Sequence, residues 1–196
     1  MKKLFPLSIL FLFCFLFTAC DEEETASVVP ETEATMERVF DFHNADANDE
    51  ESYTLGAAEV QMALENDVLE IIFAPARPQG KEALVFIINK ADLVNGYVGK
   101  YKVKSLPDAD SGPAETTYYY YMGSGSGSAL FSGGNTIDGE LQIISFDPKN
   151  KLASGKFTVV MEDAFDPTKY NASLADVRTC DITVSGGFKN LKLVQP

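Results

Sequence analysis

The segment Val60-Gln61-Met62-Ala63-Leu64, followed by Glu65-Asn66-Asp67 and then Leu69-Glu70-Ile71-Ile72-Phe73, alternates apolar and other residues on either side of a short polar break. A period of two sets Val60, Met62 and Leu64 on one face of a strand, and Leu69, Ile71 and Phe73 on one face of the next. Residues 57–74 are therefore predicted to form a β-hairpin, closed by Pro75 and Pro78. The same texture runs outward in both directions.

Upstream, Val39-Phe40-Asp41-Phe42 is a weak strand candidate, and Asn44 to Ser52 reads as an acidic loop. Downstream, Leu84 to Ile88 is apolar at consecutive positions, as in a strand buried on both faces. Lys90 to Asn95 suits a single helical turn, and Tyr97 to Lys104 places Tyr101 and Val103 on one face. Thr116 to Met122 contains Tyr118-Tyr119-Tyr120-Tyr121 and precedes a glycine-serine loop at Gly123 to Ser128. Asp138-Gly139 is a turn signal before Glu140 to Phe146, and Asp147-Pro148-Lys149-Asn150 is a β-turn before Lys156 to Glu162. Asp163 to Arg178 reads as an insertion with one helical turn near Ser173 to Val177. Thr179 to Val184 and Phe188 to Leu193 are expected to form a last hairpin around Ser185-Gly186-Gly187. Nine to eleven short strands without a long helical period predict one antiparallel all-β domain, a sandwich or a barrel, with a lipocalin-like barrel as the alternative.

The N-terminal stretch has a different character. Lys2 and Lys3 precede an apolar run from Leu4 to Phe17, and Thr18-Ala19 lead into Cys20. A positive start, a short apolar stretch and a small-residue exit read as a secretory signal. The run is shorter than the roughly 20 apolar residues of a membrane-spanning helix. Phe17-Thr18-Ala19-Cys20 resembles a bacterial lipobox, which implies a lipid on Cys20; acyl chains such as palmitate would anchor the chain without spanning the membrane. Residues 1–19 are thus expected to be signal, 20–36 an acidic disordered tether, and 37–196 the all-β domain. Cys20-Asp21-Glu22-Glu23-Glu24 resembles the surface-export signal of Bacteroidetes lipoproteins, so the outer membrane and cell surface are the expected location, with the periplasmic face as the alternative.

Sixteen basic residues stand against 29 acidic ones, a net charge of −13. That balance excludes a basic nucleic-acid footprint and disfavours docking on anionic lipid. With Cys14 in the signal and Cys20 on lipid, Cys180 has no partner for an intramolecular disulfide, and stability must come from a core.

A wider resemblance rests on Gly96-Tyr97-Val98-Gly99-Lys100-Tyr101, Gly139-Glu140-Leu141-Gln142-Ile143, Ser145-Phe146-Asp147, Ala153-Ser154-Gly155-Lys156-Phe157 and Ile182-Thr183-Val184-Ser185-Gly186-Gly187-Phe188. Together these are similar to a Bacteroidetes lipoprotein family classed as a domain of unknown function. The resemblance implies an all-β lipoprotein and brings no catalytic residues.

The residues offer little chemistry. His43 is the single histidine, which rules out a multi-histidine zinc site, and it reads as a surface residue. Asp108 and Asp110 open like a calcium loop, but Tyr119 stands where an EF-hand needs Glu. Asp163, Asp166 and Asp176 are acids that could gather round a cation or serve a hydrolase. Cys180 reads as a structural thiol. No cofactor, no metal and no catalytic residue is expected. Tyr118, Tyr119, Tyr120 and Tyr121 are the candidate ligand-binding residues, because one alternate pair would face solvent and stack on a glycan or a protein partner. The expectation is a membrane-anchored surface binding module and not an enzyme, with a surface hydrolase or a purely structural envelope protein as alternatives.

Overall fold

A computed structural model describes residues 29–43, 47–75, 80–105, 112–122, 128–132, 134–169 and 178–195. The lipobox-like stretch Phe17 to Cys20, Pro78, the loop acids Asp108, Asp110 and Asp176, Gly123 to Gly127 and the helical turn expected near Ser173 to Val177 lie outside the described residues. The described residues form eleven strands: β1 (Glu33–Phe42), β2 (Asp49–Leu55), β3 (Val60–Glu65), β4 (Val68–Phe73), β5 (Gly80–Asn89), β6 (Gly99–Lys104), β7 (Ala114–Met122), β8 (Ser128–Phe131), β9 (Ile137–Asp147), β10 (Leu152–Phe165) and β11 (Thr179–Val194). A single 3-10 turn at Lys90–Asp92 takes the place of the expected helical turn. Among the described residues no helix is long and apolar enough to cross a membrane.

The strands form two sheets, ordered β2-β1-β11-β10-β9-β6 and β3-β4-β5-β7-β8. Two corners join them. β11 meets β3 in parallel at Leu193↔Met62 and Val194↔Ala63, and β6 meets β7 in parallel at Val103↔Ala114 and Lys104↔Glu115. These corners close an eight-strand barrel of β3, β4, β5, β7, β6, β9, β10 and β11. β1 and β2 extend the first sheet beyond the ring, and β8 extends the second. The chain is all-β as expected, but its corners are parallel, and its strand order is not the sequential one of an up-and-down barrel.

Local chemistry explains the hairpins. Asn66 and Asp67 take φ of 49° and 60° between Glu65 and its partner Val68. A two-residue turn with positive φ at both positions matches the twist of its strands, and Asn and Asp tolerate that conformation. The predicted 57–74 hairpin is therefore present, with Val60, Met62, Leu69, Ile71 and Phe73 buried. Between β9 and β10, the Asp147 carboxylate accepts hydrogen bonds from the Lys149 and Asn150 amides at 2.9 and 3.3 Å. The interior is filled by rings: Phe73 lies 4.4 Å from Phe157 and 5.8 Å from Phe188, and Phe86 lies 5.7 Å from Phe157.

Several expectations are corrected. β1 starts at Glu33, within the expected tether, because Ala34 and Met36 already alternate into the core. β2 occupies part of the expected Asn44–Ser52 loop; its Glu50 and Glu51 face solvent, where charge suits an edge strand. Gly139 lies inside β9 at φ 126°, where its hydrogen faces the Thr158 carbonyl. Ser185-Gly186-Gly187 is not a turn, since β11 runs unbroken from Thr179 to Val194. Gly186 is needed because β1 and β10 crowd it from both sides.

Candidate functional site

Register on β7 sorts the four tyrosines. Tyr118 pairs with Leu84 and Phe131, is fully buried, and stacks on the Phe131 ring at 6.1 Å. Tyr120 is half-buried and meets Phe40 edge-on at 5.4 Å. These two belong to the core and leave the candidate binding set. Tyr119 and Tyr121 point outward, with ring planes 3° apart and centroids 6.0 Å apart.

The outward pair does not stand alone. Tyr119 lies between Ala83 on β5 and Leu130 on β8, and Leu130 is 53% exposed. The same outer face carries Val85 and Ile87 of β5 and Ile72 of β4, each half-buried. The apolar run Leu84 to Ile88 is thus buried on one face only by the described residues: Leu84, Phe86 and Ile88 point in, while Val85 and Ile87 point out. Tyr119, Tyr121, Leu130, Val85, Ile87 and Ile72 lie on this one outer face, with Thr117 paired to Val85 and Glu70 and Glu115 flanking Ile87. The sequence signal for it was that unbroken run. Leu130 left no signal of its own, because β8 is only four residues long.

Behind this wall, at the same end of the barrel, sits a charged cluster that the sequence reading missed. Arg38 is fully buried on β1; its Nε donates to Glu82 Oε1 at 3.3 Å, and its Nη1 donates to the Asp49 carboxylate at 2.7 Å and the Asp49 carbonyl at 2.9 Å. Tyr53 Oη donates to Glu82 Oε1 at 2.9 Å. The guanidinium lies 3.9 Å over the Phe40 ring and 5.9 Å from that of Tyr120. Burial pulls the Arg38 pKa down, but the Glu82 charge and the Asp49 hydrogen bond outweigh it and hold the guanidinium above its ordinary range. Tyr118 is pushed well above the usual phenol range by burial and then by the Glu82 charge. Arg38 Nη2 is buried without a hydrogen-bond partner among the described residues. The cluster ties β1 and β2 to β5, the strand that carries Val85 and Ile87 on its outer face.

The other candidate residues divide. Asp166 is buried and taken up by structure: Arg178 Nη2 and Nε reach its Oδ2 at 2.7 and 2.8 Å, and Thr168 donates to its Oδ1. Cys180 is fully buried, and burial, followed by the Asp166 charge, pushes its thiol up to about 12, so it is no nucleophile at neutral pH. His43 does not stand free. It lies at the end of β1 with Asp163 and Asp181 close by. No family model, no curated protein and no solved structure matches the chain, so the functional reading rests on this geometry.

Proposed function

We propose that the protein is a lipid-anchored binding module of the bacterial outer surface, and that the outer face of the second sheet holds a neutral glycan on Tyr119 and Tyr121. The observation that carries this reading is the pair of parallel outward tyrosine rings, with exposed Leu130 paired across from Tyr119. Aromatic faces stack on the C–H faces of sugars, and a phenol supplies a hydrogen-bonding rim. A net charge of −13 repels polyanions and favours an uncharged ligand.

Retention on immobilised neutral polysaccharides tests the binding. The chain is expected to be held, and the double substitution Tyr119→Ala/Tyr121→Ala to weaken retention about tenfold or more, with little change in melting temperature because both rings point outward. Retention that survives the double substitution would sink the site, released sugars would favour the hydrolase reading, and recovery of a protein partner alone would replace the glycan.

Location has its own check. Protease added to intact cells is expected to clip the domain from the surface, and Cys20→Ala is expected to release it from the membrane fraction. Protection until the outer membrane is opened would move the protein to the periplasmic face.

A further inference from the structure

The ends of three strands meet at His43. His43 follows β1, Asp163 sits in an irregular segment of β10 between Met161 and Ala164, and Thr179 and Asp181 open β11. His43 Nε2 lies 3.0 Å from Asp181 Oδ1, and that oxygen also accepts the Asp163 amide at 3.0 Å. On the other side of the ring, Nδ1 lies 3.1 Å from Thr179 Oγ1 and 3.6 Å from Asp163 Oδ1.

The two ring nitrogens therefore have different surroundings. A proton on Nε2 donated to the Asp181 carboxylate leaves Nδ1 with its lone pair, facing a carboxylate oxygen and a hydroxyl. Imidazoles that bind metal commonly donate their other N–H to a carboxylate, which fixes tautomer and ring orientation. Two donors each about 2.1 Å from a first-row cation stand about 3.0 Å apart at a right angle and about 3.4 Å apart at the tetrahedral angle. The 3.1 Å separation from Thr179 Oγ1 falls in that range, and the 3.6 Å separation from Asp163 Oδ1 lies about 0.2 Å beyond it. Asp41, paired across strands with Asp181, adds negative charge nearby.

We propose that His43 Nδ1, Asp163 and Thr179 form a site for a divalent first-row cation such as zinc, with Asp181 positioning the imidazole through Nε2. An imidazole nitrogen among oxygen donors selects zinc, cobalt or nickel over calcium and magnesium. The remaining coordination positions face solvent, since Asp163 is 85% exposed.

The test is titration of the full chain, purified in detergent and stripped by chelator, with Zn²⁺ and with Co²⁺, whose visible absorption reports its coordination. One equivalent is expected to bind, with calcium failing to compete. His43→Ala and Asp163→Asn are each expected to abolish binding, and Asp181→Asn to weaken it by about 10- to 100-fold. Unchanged melting temperatures would show the variants to be folded. An absence of binding would mean that His43 is only an ion-pair partner of its two acids. Binding that survives both His43→Ala and Asp163→Asn would place the metal elsewhere on the acidic surface. Either result overturns the assignment.

Discussion

Arg38→Ala is expected to lower the free energy of unfolding by roughly 3–5 kcal/mol, the range for removing one partner of a buried ion pair. The reason is what remains behind. Glu82 is 1% exposed and would keep its carboxylate inside the barrel without the guanidinium that faces it. The Asp49 carbonyl would also lose its donor, and Phe40 and Tyr120 would lose the cation packed on them. Arg38→Lys is expected to recover little, because a single ammonium cannot reach Glu82 on β5 and Asp49 on β2 at once as the forked guanidinium does. Arg38→Met combined with Glu82→Leu should recover most of the loss, since apolar replacement of both partners leaves no charge to desolvate. Urea unfolding of the four proteins decides the matter. If Arg38→Ala costs less than about 1 kcal/mol, or the double variant is no better than the single ones, the pair is not the clamp between the sheets.

The phase of the strands makes that pair legible after the fact. Arg38 is in register with Ala34, Met36, Phe40 and Phe42, all inward, and Glu82 is in register with Leu84, Phe86 and Ile88. A charge on the apolar phase of a strand, matched by the opposite charge on the apolar phase of another, marks a buried pair. Composition hides it, because Glu37-Arg38 looks like an ordinary solvated step. The tyrosine run was readable to the level of two alternating pairs and no further. Which pair faces out depends on the pairing with β5 and β8, and β8 is too short to show a period. His43, Asp163 and Asp181 were beyond sequence reasoning for a different cause. His43 is more than a hundred residues from the two acids along the chain, and the irregular stretch of β10 that presents Asp163 has no signature of its own.

Gly186→Ala is expected to be the most damaging small substitution on β11, costing roughly 1–3 kcal/mol by overpacking, while Gly187→Ala next to it is expected to stay within about 0.5 kcal/mol. A methyl group at Gly186 would overlap the Thr35 carbonyl oxygen and stand 2.6 Å from Phe157 Cζ. Neither neighbour can yield easily. Thr35 is held by pairing to β11 on one side and β2 on the other, and the Phe157 ring is wedged against Phe73 and Phe86. At Gly187 a methyl would meet only the Gly155 carbonyl at 3.4 Å, an ordinary contact. In a domain of this size the Gly186 change should lower the melting temperature by roughly 2–12 °C. The contrast between the two glycines separates the alternatives. A Ser185-Gly186-Gly187 hairpin turn would need its glycines for backbone conformation and would be most sensitive where φ is positive. A continuous strand threading between β1 and β10 needs a glycine only where the neighbours press closest. Equal penalties at both positions, or a larger one at Gly187, would mean that β11 bends there and that β1 is not seated on it as described, which would remove the support beneath Arg38 as well.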